Sequence, residues 1–473
     1  MFQLINSILL DFLSCFKRIK TWQWFVVLTI GFMVRQGSRG VTQTISALRL
    51  DPKLYHTMLH FFRSSGYKVS DLYSKWIQIA QGRANLVHIA GRVLLLGDHI
   101  KMPKEGRRMP GVQILHQESQ NSKKPEYIEG HTLGHISAVI SSGKVSRSLP
   151  LISQRQESPP RIEGTNKPDG DTIVVQLVDL AVTAAKSFID KKAIIALDAY
   201  FAKASAFETA AKALTNTGER LLEIVTRAPT DTVAYTVPVP PLKRKRGNPR
   251  IYGDKIVLYD LFDDMSCFTQ TTMVLYGKET KVAYRCLDLI WKPTKELGLI
   301  RFVIVALNGS EHCVLMSSSL ELSPEEIITA YGLRFKIEHS FNEQKNDMGC
   351  FSYHFWTTAL PKRKKWKKAK QPDDAKSQAL IEGAKRAIES FICLGTIATG
   401  ILTIIAFTHN REIWKRYPGW IKTLRGVIPS VAVVKETIAH DLPLFLEFYS
   451  HLPICSIIKH RRRAVEFLFD EVA

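Results

Sequence analysis

The chain has 473 residues, with 65 Lys and Arg against 44 Asp and Glu, and its formal charge at pH 7 is +21. A chain of this length can bury a large core and form several domains, and so large a positive excess indicates a polyanionic partner, most simply nucleic acid. The seven cysteines are scattered and form neither a CxxC pair nor a Cys/His cluster. This pattern argues against a disulfide framework and a structural zinc site, and it indicates reduced thiols in a cytoplasmic protein.

Residues 1–88 are predicted to form a helical, basic N-terminal region that binds DNA. Within it, residues 37–62 have the pattern of a helix-turn-helix, with Asp51 and Pro52 at the start of the second helix. The apolar run at residues 24–34 is too short to span a bilayer. The opening residues do not have the pattern of a secretion signal.

The next region, residues 89–220, is predicted to be an α/β core. The segment RVLLLGDHI is an apolar run that ends at Asp98, which is typical of a central strand buried on both faces. The segment AIIALDAYF repeats this pattern and ends at Asp198. Between them, two strand-like segments meet at Ser142-Gly143 as a hairpin, and residues 172–189 have the apolar spacing of a helix. This order of elements predicts a mixed sheet.

Two histidines in this region invite a metal-site interpretation. His131 and His135 have the spacing of helical metal ligands, but they lie in strand-like sequence and no Glu follows His131, as the HExxH motif requires. We therefore interpret both as structural. The chain also contains neither GxGxxG nor GxxxxGK[ST], which argues against a nucleotide enzyme on a doubly wound sheet.

Residues 221–298 consist of short β-branched segments separated by turns, which predicts an inserted β-rich domain. This region contains a basic arm, residues 241–253, in which four consecutive cations are candidate DNA-binding residues: Lys243, Arg244, Lys245 and Arg246. Residues 299–350 are predicted to return to the core with further strands and a long helix.

That helix is predicted to run from Ser323 to Gly349, with Ser323 and Glu326 as a capping box. At about 100° per residue, four polar side chains fall within an arc of roughly 80° on it: Tyr331, Arg334, Glu338 and Lys345. A solvated face with ordinary ion pairs, including one between Arg334 and Glu338, explains the same pattern without a functional site.

Residues 351–473 are predicted to form a helical C-terminal region, with basic clusters at residues 361–370 and 459–463. Each cluster alone could be solvated surface, but three of them in one chain favour a surface that contacts phosphates. The apolar segment 391–407 has the length of a short membrane span, yet it contains two glycines and three threonines. We predict a buried core helix here and no membrane association.

Asp98, Asp198 and Glu338 together suggest a metal site. Two carboxylates at the ends of neighbouring strands and one on a crossing helix can hold a pair of divalent ions, and hard oxygen ligands suit Mg²⁺. Such ions activate a water or a 3′-hydroxyl on one side of a phosphodiester and stabilise the leaving oxygen on the other.

With these residues in view, the chain resembles DDE transposases of the insertion-sequence-four superfamily. The segment YGLRFKIEHSFNEQK reproduces the Tyr-Arg-Glu-Lys signature of that group, and the segments around Asp98 and Asp198 resemble its two aspartate motifs in kind and order. Asp198 is followed by Ala-Tyr-Phe, where many relatives have Arg or Gly nearby. Within the superfamily, the chain is similar to the insertion-sequence-701-like branch.

The resemblance implies an RNase H-like catalytic core with a β-rich insertion, flanked by helical N- and C-terminal regions. It implies an enzyme that cuts DNA at the ends of its mobile element and joins those ends to target DNA. Asp98, Asp198 and Glu338 would be the catalytic residues and the ligands of Mg²⁺, for which Mn²⁺ can substitute.

The resemblance also assigns Tyr331, Arg334 and Lys345 to gripping the transposon end. It implies a homodimer that pairs two ends, and a prokaryotic, nucleoid-associated protein. The alternative is a transposase-derived, sequence-specific DNA-binding protein that no longer cuts, and a cleavage assay separates the two.

Overall fold

The computed structural model describes residues 1–36, 40–117, 125–163, 165, 168–189, 192–239, 248, 250–309, 311–366, 372–420 and 428–463. Helices in this part of the chain come in three groups. The N-terminal group is α1 (Phe2–Asp11), α2 (Ile19–Val34), α3 (Val41–Leu48), α4 (Tyr55–Arg63) and α5 (Val69–Arg83). The central group is α6 (Ile173–Ser187), α7 (Ala204–Lys212), α8 (Pro324–Leu333) and α9 (Lys336–Asn342). The C-terminal group is α10 (Ala375–Thr408), α11 (Asn410–Arg416), α12 (Val431–Phe448) and α13 (Pro453–Lys459).

The strands all lie between the first and last helical groups. The first seven are β1 (His88–Ile89), β2 (Arg92–Pro103), β3 (Gln113–His116), β4 (Tyr127–Ser142), β5 (Val145–Gln156), β6 (Ala193–Ala196) and β7 (Leu222–Arg227). The other six are β8 (Val233–Tyr235), β9 (Lys255–Val257), β10 (Thr269–Leu275), β11 (Lys278–Ile290), β12 (Leu299–Leu307) and β13 (Glu311–Ser317).

The described strands form one 13-stranded mixed sheet, in the order β3-β4-β2-β6-β7-β13-β12-β11-β8-β9, with β5 beside β4, β1 beside β2 and β10 beside β11. β2, β4 and β5 pair as consecutive antiparallel strands, whereas β2 with β6 and β6 with β7 are parallel pairs. Helices α6 and α7 make the crossovers that parallel strands need. This mixed α/β arrangement fits the RNase H-like nuclease fold.

β2 does not end at Asp98, as the sequence predicted, but continues to Pro103. The reason is that its two neighbours stop at different places. Pairing with β6 ends at Leu96, whereas antiparallel pairing with β4 continues until Pro103 lies opposite Gly130. The predicted hairpin between β4 and β5 is confirmed, and Gly143 has the positive φ of 57° that its tight turn requires.

Side chains of β2 alternate between two cores. Val93 and Leu95 belong to the larger core on one face of the sheet, and Leu94 and Leu96 belong to a smaller core on the other face. Helices α6 and α7 pack on the first face, and α8 and α9 pack on the second. The strand is therefore buried on both faces, as its continuous apolar run predicted.

α10 is the long apolar helix of the C-terminal region. It is the helix in the described chain that is long and apolar enough to cross a membrane, and 89% of its most apolar window is buried inside the protein. It contacts β5, α2, α4, α5 and α12. A Cβ on Gly400 would lie 2.2 Å from the ring of Trp76, so this glycine permits close helix packing. These contacts favour the predicted core helix.

The strands predicted as an inserted domain extend the same sheet. β7 is a core strand that pairs in parallel with β6. β11 pairs with β12, and it also pairs with β8 and β10. Helices precede and follow the sheet in the chain, and α2 of the N-terminal group packs against α10 and α12. The division into domains at residues 88, 220, 298 and 350 stays a prediction.

Candidate active site

Asp98 and Asp198 lie side by side where two parallel strands stop pairing. Leu96 is in register with Ala196 as the last pair of these strands, and each aspartate follows its member of the pair by two residues. Side chains two residues apart on a strand point to the same side of the sheet. Asp98 and Asp198 therefore point to the side of Leu96 and Ala196, which belong to the smaller core. Their carboxylates therefore lie on the side of the sheet that α8 and α9 cover.

The charges around Asp98 confirm this proximity. Burial, and after it the negative charge of Asp198, raise the pKa of Asp98 from its ordinary 3.8 to about 7. A hydrogen bond of 2.7 Å from the backbone N–H of His99 and the positive charge of Arg334 oppose this rise, and Glu338 adds to it. Asp198, Arg334 and, most weakly, Glu338 therefore all act on the charge of Asp98.

Asp198 is fixed by the loop that follows β6. Its carboxylate accepts a hydrogen bond of 3.0 Å from the backbone N–H of Tyr200 and thereby caps the 3₁₀ turn Ala199–Phe201. Its backbone carbonyl accepts a hydrogen bond of 2.6 Å from Thr226 Oγ1 at the end of β7. The end of the neighbouring strand thus helps to hold the aspartate in place.

The helix predicted from Ser323 to Gly349 is correct at its ends and wrong in its middle. The capping box is present, since the Ser323 N–H donates to Glu326 at 2.9 Å and the Glu326 N–H donates to Ser323 Oγ at 3.2 Å. However, α8 ends at Leu333 and α9 begins at Lys336. A π-helical turn, Glu343–Asp347, follows, and Gly349 ends the segment with a φ of 61°.

The break between α8 and α9 has a local cause. The N–H groups of Arg334, Ile337 and Glu338 each donate to the carbonyl three residues earlier rather than four. Hydrogen bonds of this spacing tighten the helix. Each later side chain is therefore rotated about the helix axis relative to its position in a continuous α-helix. The polar residues predicted as one straight stripe are therefore distributed over two helices and a wider turn.

The break places Arg334 over the aspartates. Its Nη1 lies 3.9 Å from Asp98 Oδ2, with 18% of the Arg334 side chain and 22% of the Asp98 side chain exposed. The ion pair found for Arg334 is thus with Asp98 and not the helical pair with Glu338 that the sequence suggested. The Arg334 guanidinium carbon also lies 5.9 Å from the centre of the Tyr331 ring.

Tyr331 lies beside Arg334, together with two residues that the sequence did not single out, Arg227 and Tyr276. Burial raises the pKa of the Tyr331 hydroxyl, and the positive charges of Arg334 and Arg227 oppose that rise. Arg227 is the last residue of β7. Tyr276, in the turn between β10 and β11, lines a cavity of about 330 Å³ with Tyr331, Arg334 and Phe335.

A signal for Arg227 was present in the sequence. It ends a strand parallel to β6, and the carboxyl ends of parallel strands meet at one edge of a sheet. Tyr276 carries no comparable signal, because its position depends on how far the β10–β11 hairpin extends beside α8.

A buried polar network anchors α9 to the sheet. His135 lies opposite Asp98 on β4, and its ring nitrogens lie 3.2 Å from Ser340 Oγ and 2.7 Å from Ser153 Oγ. Ser153 in turn donates to Gln344 at 3.1 Å. Burial lowers the pKa of His135 to about 3, so the ring is neutral and can accept at one nitrogen and donate at the other.

Both histidines are therefore structural, as predicted. His131 is buried, and its Nδ1 lies 2.7 Å from the Tyr353 hydroxyl. His135 has a further consequence for the site, because its partner Ser340 is two residues after Glu338 on α9. The network fixes the height and rotation of the helix that carries the third carboxylate.

The family to which these residues belong follows from a comparison of the sequence. Residues 11–285 match the family of DDE superfamily endonucleases. The chain belongs to this family. The match covers more than half of the sequence and includes Asp98 and Asp198, whereas Glu338 lies beyond its end. No curated protein matches the chain.

DDE superfamily endonucleases act on DNA and generally use divalent metals. Among the described residues, no three His, Cys, Asp or Glu side chains form a cluster that could hold a metal ion. Glu338 is exposed on α9 while Asp98 faces Arg334. The donor set nevertheless fits a divalent cation, because carboxylate oxygens are ligands that Mg²⁺ prefers. Burial first, and then the charge of Asp198, raise the pKa of Asp98, and a bound cation would offset that negative charge.

The remaining predicted DNA contacts of this DDE endonuclease are one exposed lysine and four residues that the structure does not describe. Lys345 lies exposed in the π-helical turn. The other predicted contacts lie outside the described residues: Lys243, Arg244, Lys245 and Arg246. The helix-turn-helix prediction falls on α3 and α4, which contact each other, and its contact with DNA stays a prediction.

Two basic clusters are partly used for internal contacts. Within residues 361–366, Arg363 is buried and forms an ion pair with Glu129. In the terminal cluster, the Arg461 side chain donates to Gln23 at 2.7 Å and the Arg462 side chain donates to the carbonyl of Leu48 at 3.1 Å. Arg363 is therefore an internal residue and not surface, whereas the prediction that the rest of these clusters contact phosphates stays a prediction.

Proposed function

We propose that this DDE superfamily endonuclease is a transposase that cuts DNA at the ends of its mobile element and joins them to target DNA. One observation carries the proposal: Asp98 and Asp198 lie side by side beneath the helix pair that carries Glu338 and Arg334. Within the superfamily we assign it to the insertion-sequence-four group, near the 701-like branch. The spacing of Tyr331, Arg334, Glu338 and Lys345 supports that assignment.

In this proposal Asp98, Asp198 and Glu338 are the catalytic carboxylates and would hold Mg²⁺ or Mn²⁺. When bound, these cations activate a water or 3′-hydroxyl and stabilise the leaving oxygen of the phosphodiester. Asp98 must lose its proton to become a ligand, and its raised pKa means that cation binding and proton loss are coupled near pH 7. Glu338 approaches from the exposed face of α9.

Arg334 has a separate role in this proposal. Its Nη1 lies 3.9 Å from Asp98 Oδ2. A planar guanidinium can donate two parallel hydrogen bonds to a phosphate, so Arg334 is positioned to exchange Asp98 for a phosphate of the transposon end. The hydroxyl of Tyr331, beside it, can donate to a neighbouring phosphate. Lys345 would contact the same strand further along.

The proposed partners are the two transposon ends and the target DNA. The net charge of +21 supports a partner of this kind. The basic residues Lys243, Arg244, Lys245 and Arg246 are proposed to add contacts to the DNA backbone. A homodimer would pair two ends, and the protein would act in the cytoplasm, at the nucleoid.

The test is a cleavage assay on a plasmid that carries the DNA flanking the gene, with and without Mg²⁺. We expect metal-dependent cuts at the element ends, and their loss in Asp98→Asn, Asp198→Asn and Glu338→Gln. Binding of the same DNA should persist in each variant. Full cleavage by any one variant would remove that residue from the catalytic set.

A second function, sequence-specific DNA binding without cleavage, is supported by one observation. Glu338 is exposed and the three carboxylates do not form a metal-holding cluster among the described residues. The same assay decides between the two functions. Specific binding to the flanking DNA with no cut under Mg²⁺ or Mn²⁺ would favour this second function.

A further inference from the structure

A segment of alternating burial follows the Glu338 helix. Residues 352–357 lie outside the helices and strands, and from 351 to 357 the odd-numbered residues are buried while His354 and Trp356 between them are exposed. The Phe355 ring lies 5.4 Å from that of Phe62, which fixes the buried side of the segment on α4. The Trp356 side chain is 55% exposed and so contributes little to the core.

Two cavities meet at these exposed side chains. One has a volume of about 690 Å³ and lies against α4, the other has a volume of about 450 Å³ and lies against the loop after β2, and both have His354 and Trp356 in their walls. The described residues that line them include no Asp or Glu and contain four cations: Arg63, Arg107, Arg108 and Lys362. Together the cavities form a groove of one charge sign around an exposed tryptophan.

The walls of this groove are held together by backbone hydrogen bonds. The Thr357 N–H donates to the carbonyl of Arg108 at 3.1 Å. The Arg63 guanidinium donates to the carbonyl of Trp356 at 3.4 Å. The groove is therefore preorganised, and a ligand need not order these segments when it binds.

The groove is connected to the aspartates through β2. The strand carries Asp98 and ends at Pro103, and five residues at ~3.3 Å each span about 17 Å. β2 therefore links Asp98 along the chain to the loop of Arg107 and Arg108, which forms one wall of the groove.

We propose that this groove binds unpaired DNA nucleotides, with a base stacked on Trp356 and the adjoining phosphates on the surrounding cations. Basic grooves with exposed aromatic side chains bind single strands in this way, because every base has a face that can stack. Paired bases cannot offer that face to Trp356. The inference rests on DNA being the substrate, as in the proposed function, but not on cleavage.

The test measures binding of a fluorescein-labelled single-stranded oligonucleotide of mixed sequence, and of its duplex, to the full-length protein. Trp356→Ala should weaken single-strand binding roughly tenfold or more, and duplex binding much less. Trp356→Phe should keep most of the affinity. Lys362→Gln should lower the salt slope for the single strand by about 0.7. Trp420, which is 84% exposed outside the groove, provides the matched control Trp420→Ala, which should bind both probes normally.

Unchanged single-strand binding by Trp356→Ala, or an equal loss for single strand and duplex, would overturn the stacking role. The outcome is separable from the proposed function. Asp98→Asn should lose cleavage yet keep single-strand affinity. If the wild type cuts DNA and Trp356→Ala binds single strands normally, the groove proposal is refuted and the proposed function is kept. If single-strand binding depends on Trp356 but the wild type never cuts DNA, the transposase proposal is refuted and the groove proposal is kept.

Discussion

The burial of Asp98 beside Asp198 predicts a stability that depends on pH in a specific direction. Between pH 3.8 and about 7 the native protein holds a proton on Asp98 that the unfolded chain has lost. The free energy of unfolding therefore falls as pH rises through that window. Asp98→Asn removes the ionisable group, keeps the size of the side chain, and should abolish this part of the pH dependence.

The magnitude follows from the pKa. At 1.36 kcal/mol per unit, the rise from 3.8 to about 7 costs the native state about 4 kcal/mol above pH 7 and about 1.6 kcal/mol at pH 5. The advantage of Asn should therefore grow by about 2–3 kcal/mol between pH 5 and pH 8. For 473 residues the entropy of unfolding is about 1 kcal/mol/K, so the melting temperatures of variant and wild type should separate by about 2–3 °C.

The assay is thermal unfolding of both proteins at several pH values, with a chelator present. Asp373→Asn is the control, because Asp373 is exposed and outside the site. Added Mg²⁺ should then raise the melting temperature of the wild type at pH 8 and raise that of Asp98→Asn much less. Parallel pH curves for wild type and Asp98→Asn would refute the raised pKa of Asp98, and with it the coupling of cation binding to proton loss.

Three other predictions concern single side chains, two of them in or beside the site. Arg334→Lys keeps the charge near Asp98 but loses the planar guanidinium. Cleavage of end DNA should therefore fall at least about tenfold, or about 1.4 kcal/mol, while the melting temperature moves by less than about 1 °C. Normal cleavage by this variant would refute the proposal that Arg334 binds a phosphate. Ser340→Ala leaves a buried nitrogen of His135 without its partner. The free energy of unfolding should therefore fall by about 1–3 kcal/mol, and cleavage should fall with it. An unchanged melting temperature would show that the network does not hold α9 in place. Arg363→Gln breaks a buried ion pair and should lower the free energy of unfolding by about 3 kcal/mol or more. The control Lys364→Gln changes an exposed neighbouring residue and should leave the melting temperature unchanged. Equal melting temperatures for the two variants would mean that Arg363 behaves as an ordinary surface residue.

The two aspartates could be found from the sequence because a local pattern determined their place. An apolar run that ends in a carboxylate predicts a buried strand with a polar end, and two such strands in parallel bring their ends together. The capping box at Ser323 was predictable for the same reason, since both partners are three residues apart.

The break at Arg334 was not predictable, because Leu333, Arg334 and Phe335 are all residues that a continuous helix accepts. What decides it is how α8 and α9 pack on the sheet, where buried Ile337 and the network around His135 fix the second helix. Arg363 shows the same limit for charge. Its partner Glu129 is 234 residues away in the chain, so a run of basic residues gave no sign that one of them is buried.

The site combines a negative centre with a strongly positive chain, and this contrast bears on the order of binding. A charge of +21 attracts DNA over distances of about a Debye length. At the centre, however, Asp98 lies partly buried beside Asp198, and Arg334 Nη1 is 3.9 Å from Asp98. A phosphate that reached this point without cations would be repelled by the excess negative charge, because like charges in a partly buried site interact strongly. We therefore expect DNA to bind the outer surface without divalent metal and to enter the site only when metal is present. Footprinting of the end DNA with and without Mg²⁺ tests this expectation, since protection that reaches the scissile phosphate in the absence of metal would contradict it.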